Sequence, residues 1–472
     1  MIFVENSQPP KGADAQLLAG TPPTAYYSTA ISPGYEHAQT PFERPRESTK
    51  RRIAKRHLVA LLMGIITLSL VHIANPRLFN WNSAHQDEWP SPMSLPIEPS
   101  EDVHDCVQGP QWKPLEGHTA HSGGSWVTAE FKLPLEDEDK FTFLARGARS
   151  YGGFHVVESS DVTDVVVNVD AYYYQKRILG QARVCTIGLH GDSHHKGVAI
   201  YTPSHWPYPR WGHHEREQLE FYVTVTLPSS KHSIRHIPQF TTSFHNFAQR
   251  FDNLTKFDFG RVSLHTSNGP IAIKNIVAES LTAETTNGPI TGNYNTTSHL
   301  LLHTTNSPIK VGVTASDDGK TDRPTTVNLH TTNAVLQASL SLVANTTEGR
   351  GGAFSVQAST TNSPISVATL DAPPDSVLHL TARTTNGHAV VSLHPSYEGT
   401  FKASTTNFAP SLNQLPDVED PTGEGRPRSV EIHSLRGRTL DGSVQWAPSH
   451  HEDGKAGSVS VSTTNSPVNI TL

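Results

Sequence analysis

The densest run of side chains able to hold a metal or stack on a ligand lies between residues 190 and 214. It contains His190, Asp192, His194, His195, His205, His213 and His214, interleaved with Trp206, Tyr208 and Trp211. Imidazoles with a carboxylate suit a divalent cation such as zinc. Aromatic rings among polar neighbours suit the face of a sugar. The chain has 27 histidines in all, so an exposed His-rich loop accounts for the same run. No metal site is therefore assigned to His190, His194, His195, His213 or His214 from sequence. The stretch His213-His214-Glu215-Arg216-Glu217-Gln218 approaches the zinc-protease pattern, but Gln218 stands where the second histidine belongs. There is no G-x-S-x-G, P-loop, G-x-G-x-x-G or C-x-x-C phrase. No catalytic residue and no cofactor are expected, and the chain reads as a non-enzyme.

The elements that would position such groups are short strands in a repeat. One phrase returns from residue 266 onward: TSNGPI, TTNGPI, TTNSPI, TTNAVL, TTNSPI, TTNGHA, TTNFAP and TTNSPV. Its asparagines are Asn268, Asn287, Asn306, Asn333, Asn362, Asn386, Asn407 and Asn465, with gaps of 19, 19, 27, 29, 24, 21 and 58 residues. A unit of about 19 residues with loop insertions fits, the last gap being close to three units, and such periods mark stacked arrays. Six residues before each asparagine stand Val262, Leu281, Leu300, Val327, Val356, Leu380, Phe401 and Val459. Four before stand Leu264, Ala283, Leu302, Leu329, Ala358, Ala382, Ala403 and Val461. All are apolar and the residues between them are polar, Leu301 excepted, so each unit holds a strand with one buried face. The Asn-Gly, Asn-Ser or Asn-Ala pair then makes a turn, which predicts positive φ there. If the units stack, the asparagines form a ladder of side-chain amides. On the outward side, His265, Glu284, His303 and His330 fall in one column about 4.8 Å apart per step. That spacing suits metal binding, a pH response or a plain solvated face.

The expected fold is all-β, a stacked β-repeat (solenoid or β-helix-like) region at 229–472 preceded by a β-rich cap or small separate domain at 125–228. Residues 75–124, rich in Pro, Ser and acids, read as a stalk, and 410–428 as an inserted loop. The 33 glycines and 34 prolines, with few charged residues, suit strands and turns. A net charge of −7 without a basic stripe beyond the N-terminal tail argues against nucleic acid.

Residues 58–74, LVALLMGIITLSLVHIA, carry no formal charge over about the minimum length that spans a bilayer. Arg44, Arg46, Lys50, Arg51, Arg52, Lys55 and Arg56 precede the segment, while Arg77 is the one basic residue soon after it. The positive-inside rule makes it an uncleaved type II signal anchor, with residues 1–57 a disordered cytosolic tail and the rest lumenal or extracellular. The sequons at Asn253, Asn295, Asn345 and Asn469 agree with translocation. Cys106 and Cys185 can pair in an oxidising compartment; two separate buried thiols are the alternative.

The strand Phe221-Tyr-Val-Thr-Val-Thr-Leu-Pro228 followed by the recurring T-[ST]-N-G-x-I phrase resembles the "putative adhesin" domain, a β-repeat family of unknown function. Its fungal members often carry an N-terminal membrane anchor. The resemblance covers about residues 215–472 and implies a fold without catalytic residues to carry over. Together these readings give a structural or adhesion module whose partners are a membrane and surface glycans or proteins. A carbohydrate-active or glycan-binding protein is the alternative. The enzymatic form of that alternative needs clustered carboxylates on one outer face, whereas Asp317, Asp318, Asp322, Asp371 and Asp375 fall in apparent loops.

Overall fold

The computed structural model describes residues 94–116, 123–205, 219–230, 232–317, 319, 323–346, 348–448 and 456–472. The expected tail, the apolar segment 58–74, half of the expected stalk (75–93 and 117–122), and His213 and His214 lie outside the described residues. Among the described residues, 27 strands join into one hydrogen-bonded sheet. The complete helical elements among the described residues are a 3-10 turn at Gly109–Gln111 and four residues at Lys176–Leu179.

The period-two pattern explains why successive units pair as they do. In the first ladder, Phe257–His265 lies parallel to the later part of Ile271–Glu284, and that to the later part of Ile290–His303. Thr325–His330, Ala353–Ser359, Val377–Arg383, Gly457–Thr463 and Gly399–Thr405 follow, all parallel. The register aligns the repeat: Leu264, Ala283, Leu302, Leu329, Ala358, Ala382, Val461 and Ala403 are successive partners. All are buried in one hydrophobic cluster. The strand after each turn enters a second parallel ladder, from Asn246–Asn253 through the early part of Ile271–Glu284 to Ile309–Asp317 and Leu336–Ala344. Ile271, Ile290, Ile309, Leu336, Ile365, Ala389 and Val468 make its inward column. A single unit buries little; each large side chain enclosed between the ladders contributes about 1.5–3 kcal/mol.

The region 125–228 continues both ladders. Lys140–Arg146 is parallel to Arg235–Ser243, and Tyr151–Ser159 to Asn246–Asn253, so no boundary separates two cores near residue 228. Here phenylalanines fill the interior, Phe143, Phe154, Phe240, Phe244 and Phe251 packing with ring centroids 5.0–6.5 Å apart. Antiparallel strands close this end: Ser125–Leu133 on Val165–Tyr173 on Leu219–Pro228 in one ladder, and Glu101–Gln108 on Arg183–Leu189 in the other. Asp105 is exposed, but Glu101 is buried and accepts from the Tyr201 hydroxyl at 2.7 Å. The described part of the stalk reading of 75–124 is thus corrected: Glu101–Gln108 is a paired strand. A disulfide joins it, Cys106 to Cys185, to the neighbouring strand.

Two further expectations change. The 58-residue gap before Asn465 does not hold rungs stacked in chain order. The hairpin of Arg428–Arg436 and Thr439–Trp446 turns back antiparallel on Gly399–Thr405. The following strand, Gly457–Thr463, then inserts between Val377–Arg383 and Gly399–Thr405. Within the stretch 410–428, Ser411–Asn413 pairs with Val468–Thr471 as the outer strand of the second ladder. The rest of that loop is fastened by Arg426, whose guanidinium donates to Asp420 and faces Glu398 at 3.6 Å.

Candidate functional site

The turns carry the most regular polar feature. The first threonine of each phrase continues the inward alternation and is buried, where an unpaired hydroxyl would be costly. Thr266, Thr285, Thr304, Thr331, Thr360, Thr384, Thr463 and Thr405 donate to carbonyl oxygens of the spatially preceding turn at 3.0–3.3 Å. The asparagines lie outside and are exposed. Each Nδ2 donates to the Oδ1 of the previous asparagine at 2.5–2.8 Å, in the spatial order Asn246, Asn268, Asn287, Asn306, Asn333, Asn362, Asn386, Asn465, Asn407. Asn246 was not legible from the phrase, since it sits in His245-Asn246-Phe247 without the threonines. None of these asparagines has positive φ, which corrects the turn expected above. Glycine serves close approach instead: a Cβ at Gly269 or Gly288 would lie 1.7–1.8 Å from the carbonyl oxygen of Phe247 or Gly269.

The outward column is also in register, His265 beside Glu284, His303 and His330. His265 Nδ1 lies 3.9 Å from Glu284 Oε2. The rings of His303 and His330 stand 5.0 Å apart, and His330 Nδ1 is 2.7 Å from Ser359 Oγ. Burial, and after it the neighbouring His303, holds His330 below the ordinary imidazole value.

Of the histidines singled out near residue 190, the described ones do not converge. His190 is exposed, and His195 is buried with burial lowering its pKa. His194 points the other way from the strand Asp192–Tyr201 and meets an acidic turn, Glu136 to Asp139, that precedes the adjacent strand. Sequence reasoning could not have joined residues more than fifty positions apart without knowing that these two strands are neighbours.

A second missed feature is an aromatic group on the outer face of the antiparallel strands. Trp126 packs 5.0 Å from Tyr172 and 5.6 Å from Tyr222, and Tyr172 packs 5.3 Å from Tyr174. Tyr222 is exposed, and burial of part of the ring together with its bond to Glu220 pushes its hydroxyl up to about 12. Part of the signal was present, because Tyr222 sits at an outward position between inward Phe221 and Val223, and Trp126 and Tyr172 each adjoin one inward residue, Val127 and Ala171. Among the sequons, Asn253 and Asn345 are exposed at strand ends, whereas Asn295 and Asn469 are half-buried between paired strands.

A domain-family model described as a domain of unknown function, DUF7330, matches residues 262–419. No curated protein matches the chain. Among solved structures, that of a "putative cell adhesion protein" from Clostridium sporogenes aligns at 6% identity, over 73% of this chain and 98% of that one, with a TM-score of 0.16. The family match begins at Val262, the first inward residue of the repeat, and spans seven of the eight phrases. Neither match bears on the fungal type.

Proposed function

We propose that the chain is a type II membrane protein whose β-solenoid forms a stiff, non-catalytic module that spaces and presents adhesive surfaces outside the cytosol. The observation carrying this reading is the continuous asparagine ladder over an unbroken apolar interior. Nine amides in eight steps of about 4.8 Å give a straight seam of about 38 Å. Each coil touches only its neighbours, so stiffness accrues along the axis. The outward column beside the seam sets His, Glu, Ser and Arg singly in register, unlike the paired carboxylates of glycoside hydrolysis. Anchoring rests on residues 58–74 and their basic flank, and the disulfide and the exposed Asn253 and Asn345 suit an oxidising lumen.

The test is to express the full chain in eukaryotic cells and follow a C-terminal tag. Carbonate-resistant membrane association, protease protection of the tag in sealed microsomes, and a glycosidase-sensitive mobility shift lost in Asn253→Gln/Asn345→Gln are expected. A cytosolic tag would overturn the topology. Adhesion itself is read by attachment of cells displaying the chain to protein- and glycan-coated surfaces; background attachment on every surface would sink it.

A second reading, contact with glycans, is favoured by the Trp126, Tyr172 and Tyr222 group, whose rings lie among Asp170, Glu220 and Asn168 on neighbouring strands. It predicts glycan-array binding by the full chain that Tyr222→Ala weakens.

A further inference from the structure

We propose that Glu136, Asp139 and His194 form a binding site for a divalent transition-metal cation of the zinc class. The site is built by two adjacent parallel strands. Lys140 at the start of one is the partner of His195 in the other, which brings the preceding residues, Asp139 and His194, side by side. The turn before Lys140 closes on itself: Glu136 N donates to Asp139 Oδ2 at 2.7 Å, and Asp139 N donates to Glu136 O at 3.2 Å. Lys196, two residues beyond His194, donates to Pro134 O at 3.0 Å and to the same Asp139 Oδ2 at 2.7 Å. One carboxylate oxygen of Asp139 is thus held on both sides, and the other is aimed at the imidazole.

That other oxygen points to a ligand. Asp139 is fully buried, and its Oδ1 has no hydrogen-bond partner; neither does the buried Nδ1 of His194. Buried polar atoms are rarely left so. The two lie 3.6 Å apart, too far for a hydrogen bond. Glu136 Oε2 is 4.0 Å from the same Nδ1, and the three donor atoms lie within 4.8 Å of one another. Donors about 2.0–2.2 Å from a shared ion stand roughly 3–4 Å from each other, so one cation would satisfy all three. On the far side of the ring, Glu138 Oε2 lies 3.7 Å from Nε2. A carboxylate there favours the tautomer that keeps Nδ1 free to coordinate. Three carboxylates against the single Lys196 ammonium leave the place electronegative. An imidazole with two carboxylates matches Zn²⁺ or Co²⁺ better than Ca²⁺ or Mg²⁺, which prefer oxygen-only sets.

The test uses the full chain in detergent, stripped with EDTA and titrated with Co²⁺, read by visible absorption and by displacement with Zn²⁺. One saturable equivalent is expected. Glu136→Gln and His194→Gln should each weaken it at least about tenfold, while His190→Gln, four residues away and exposed, should leave it unchanged. Zn²⁺ should raise the melting temperature of the wild type and not of the first two variants, both compared as metal-free folded chains by circular dichroism. Uptake that is not saturable, or that survives equally in Glu136→Gln and His194→Gln, overturns the site. So does a wild type that takes up no metal.

Discussion

The asparagine ladder has a direction, and the direction makes a prediction with opposite signs at its two ends. Every amide donates backward and accepts forward, so Asn306 donates to Asn287 and accepts from Asn333, both at 2.7 Å. Asn246, the first rung, only accepts, and Asn407, the outermost in space, only donates. An aspartate can accept but, when ionised, cannot donate. Asn246→Asp keeps its one ladder bond and makes it charge-assisted, roughly doubling its strength. Its stability should equal the wild type or exceed it by about 0.5–1 kcal/mol. Asn407→Asp loses its one ladder bond, and Asn306→Asp loses a donor while setting a carboxylate oxygen against Asn287 Oδ1. Each should be destabilised by about 1 kcal/mol, the net value of one hydrogen bond, and Asn306→Ala by about 1–3 kcal/mol because two bonds go. The Asn306→Asp penalty should fade as the pH drops toward about 4, because the protonated acid can donate again. Its folded pKa is raised, so the stability is present below the unfolded value and lost as pH rises through the folded one. Urea unfolding of the full chain at several pH values reads all four variants. If Asn407→Asp is neutral and Asn246→Asp is the destabilised one, the ladder runs the other way; if all four match the wild type, the seam contributes nothing.

Three other outcomes follow from the same geometry. Leu302→Ala, fully buried between Ala283 and Leu329, should cost about 2–5 kcal/mol in chemical denaturation. Because its strand pairs with the immediately neighbouring strands of each ladder, it should also separate the melting of the two halves seen by calorimetry. Cys185→Ser opens a loop of 79 residues and should cost about 4.5 kcal/mol on the chain-entropy account, checked by urea unfolding with and without reductant. His330 titrates below the ordinary imidazole value in the fold, so its neutral form stabilises. That contribution is complete above about pH 6.5 and is lost as pH falls toward the folded value. The fall in melting temperature between about pH 7.5 and about pH 5 should be shallower in His330→Gln.

The repeat was legible because a parallel ladder forces one residue type into one column. Val262, Leu281 and Leu300 are inward for the reason that they recur six places before an asparagine, and the buried threonines follow the same alternation two places before it. What the sequence concealed is whatever depends on which strand neighbours which. The strand Glu101–Gln108 reads as an acidic linker because its partner, Arg183–Leu189, lies some eighty residues on. The meeting of Asp139 with His194 is hidden for the same reason, and so is Trp126 beside Tyr222. The turn itself was misread through a local rule: Asn-Gly suggested left-handed backbone, whereas at Gly269 and Gly288 the preceding turn's carbonyl leaves no room for a methyl group.

The insertion of 457–471 between 377–392 and 399–413 has a consequence for biogenesis. Coils added in order could dock one by one as the polypeptide emerges, but the outermost coil cannot. Residues 399–413 find their neighbour only after some fifty further residues have been made, so they must wait undocked with the hairpin 428–446 already hanging from them. This assembly step is therefore a wedge driven into a gap rather than a brick laid on top. Loss of that wedge would strand the pair of strands beyond it and expose the apolar edge of the pair before, giving quality-control machinery a single signal to act on.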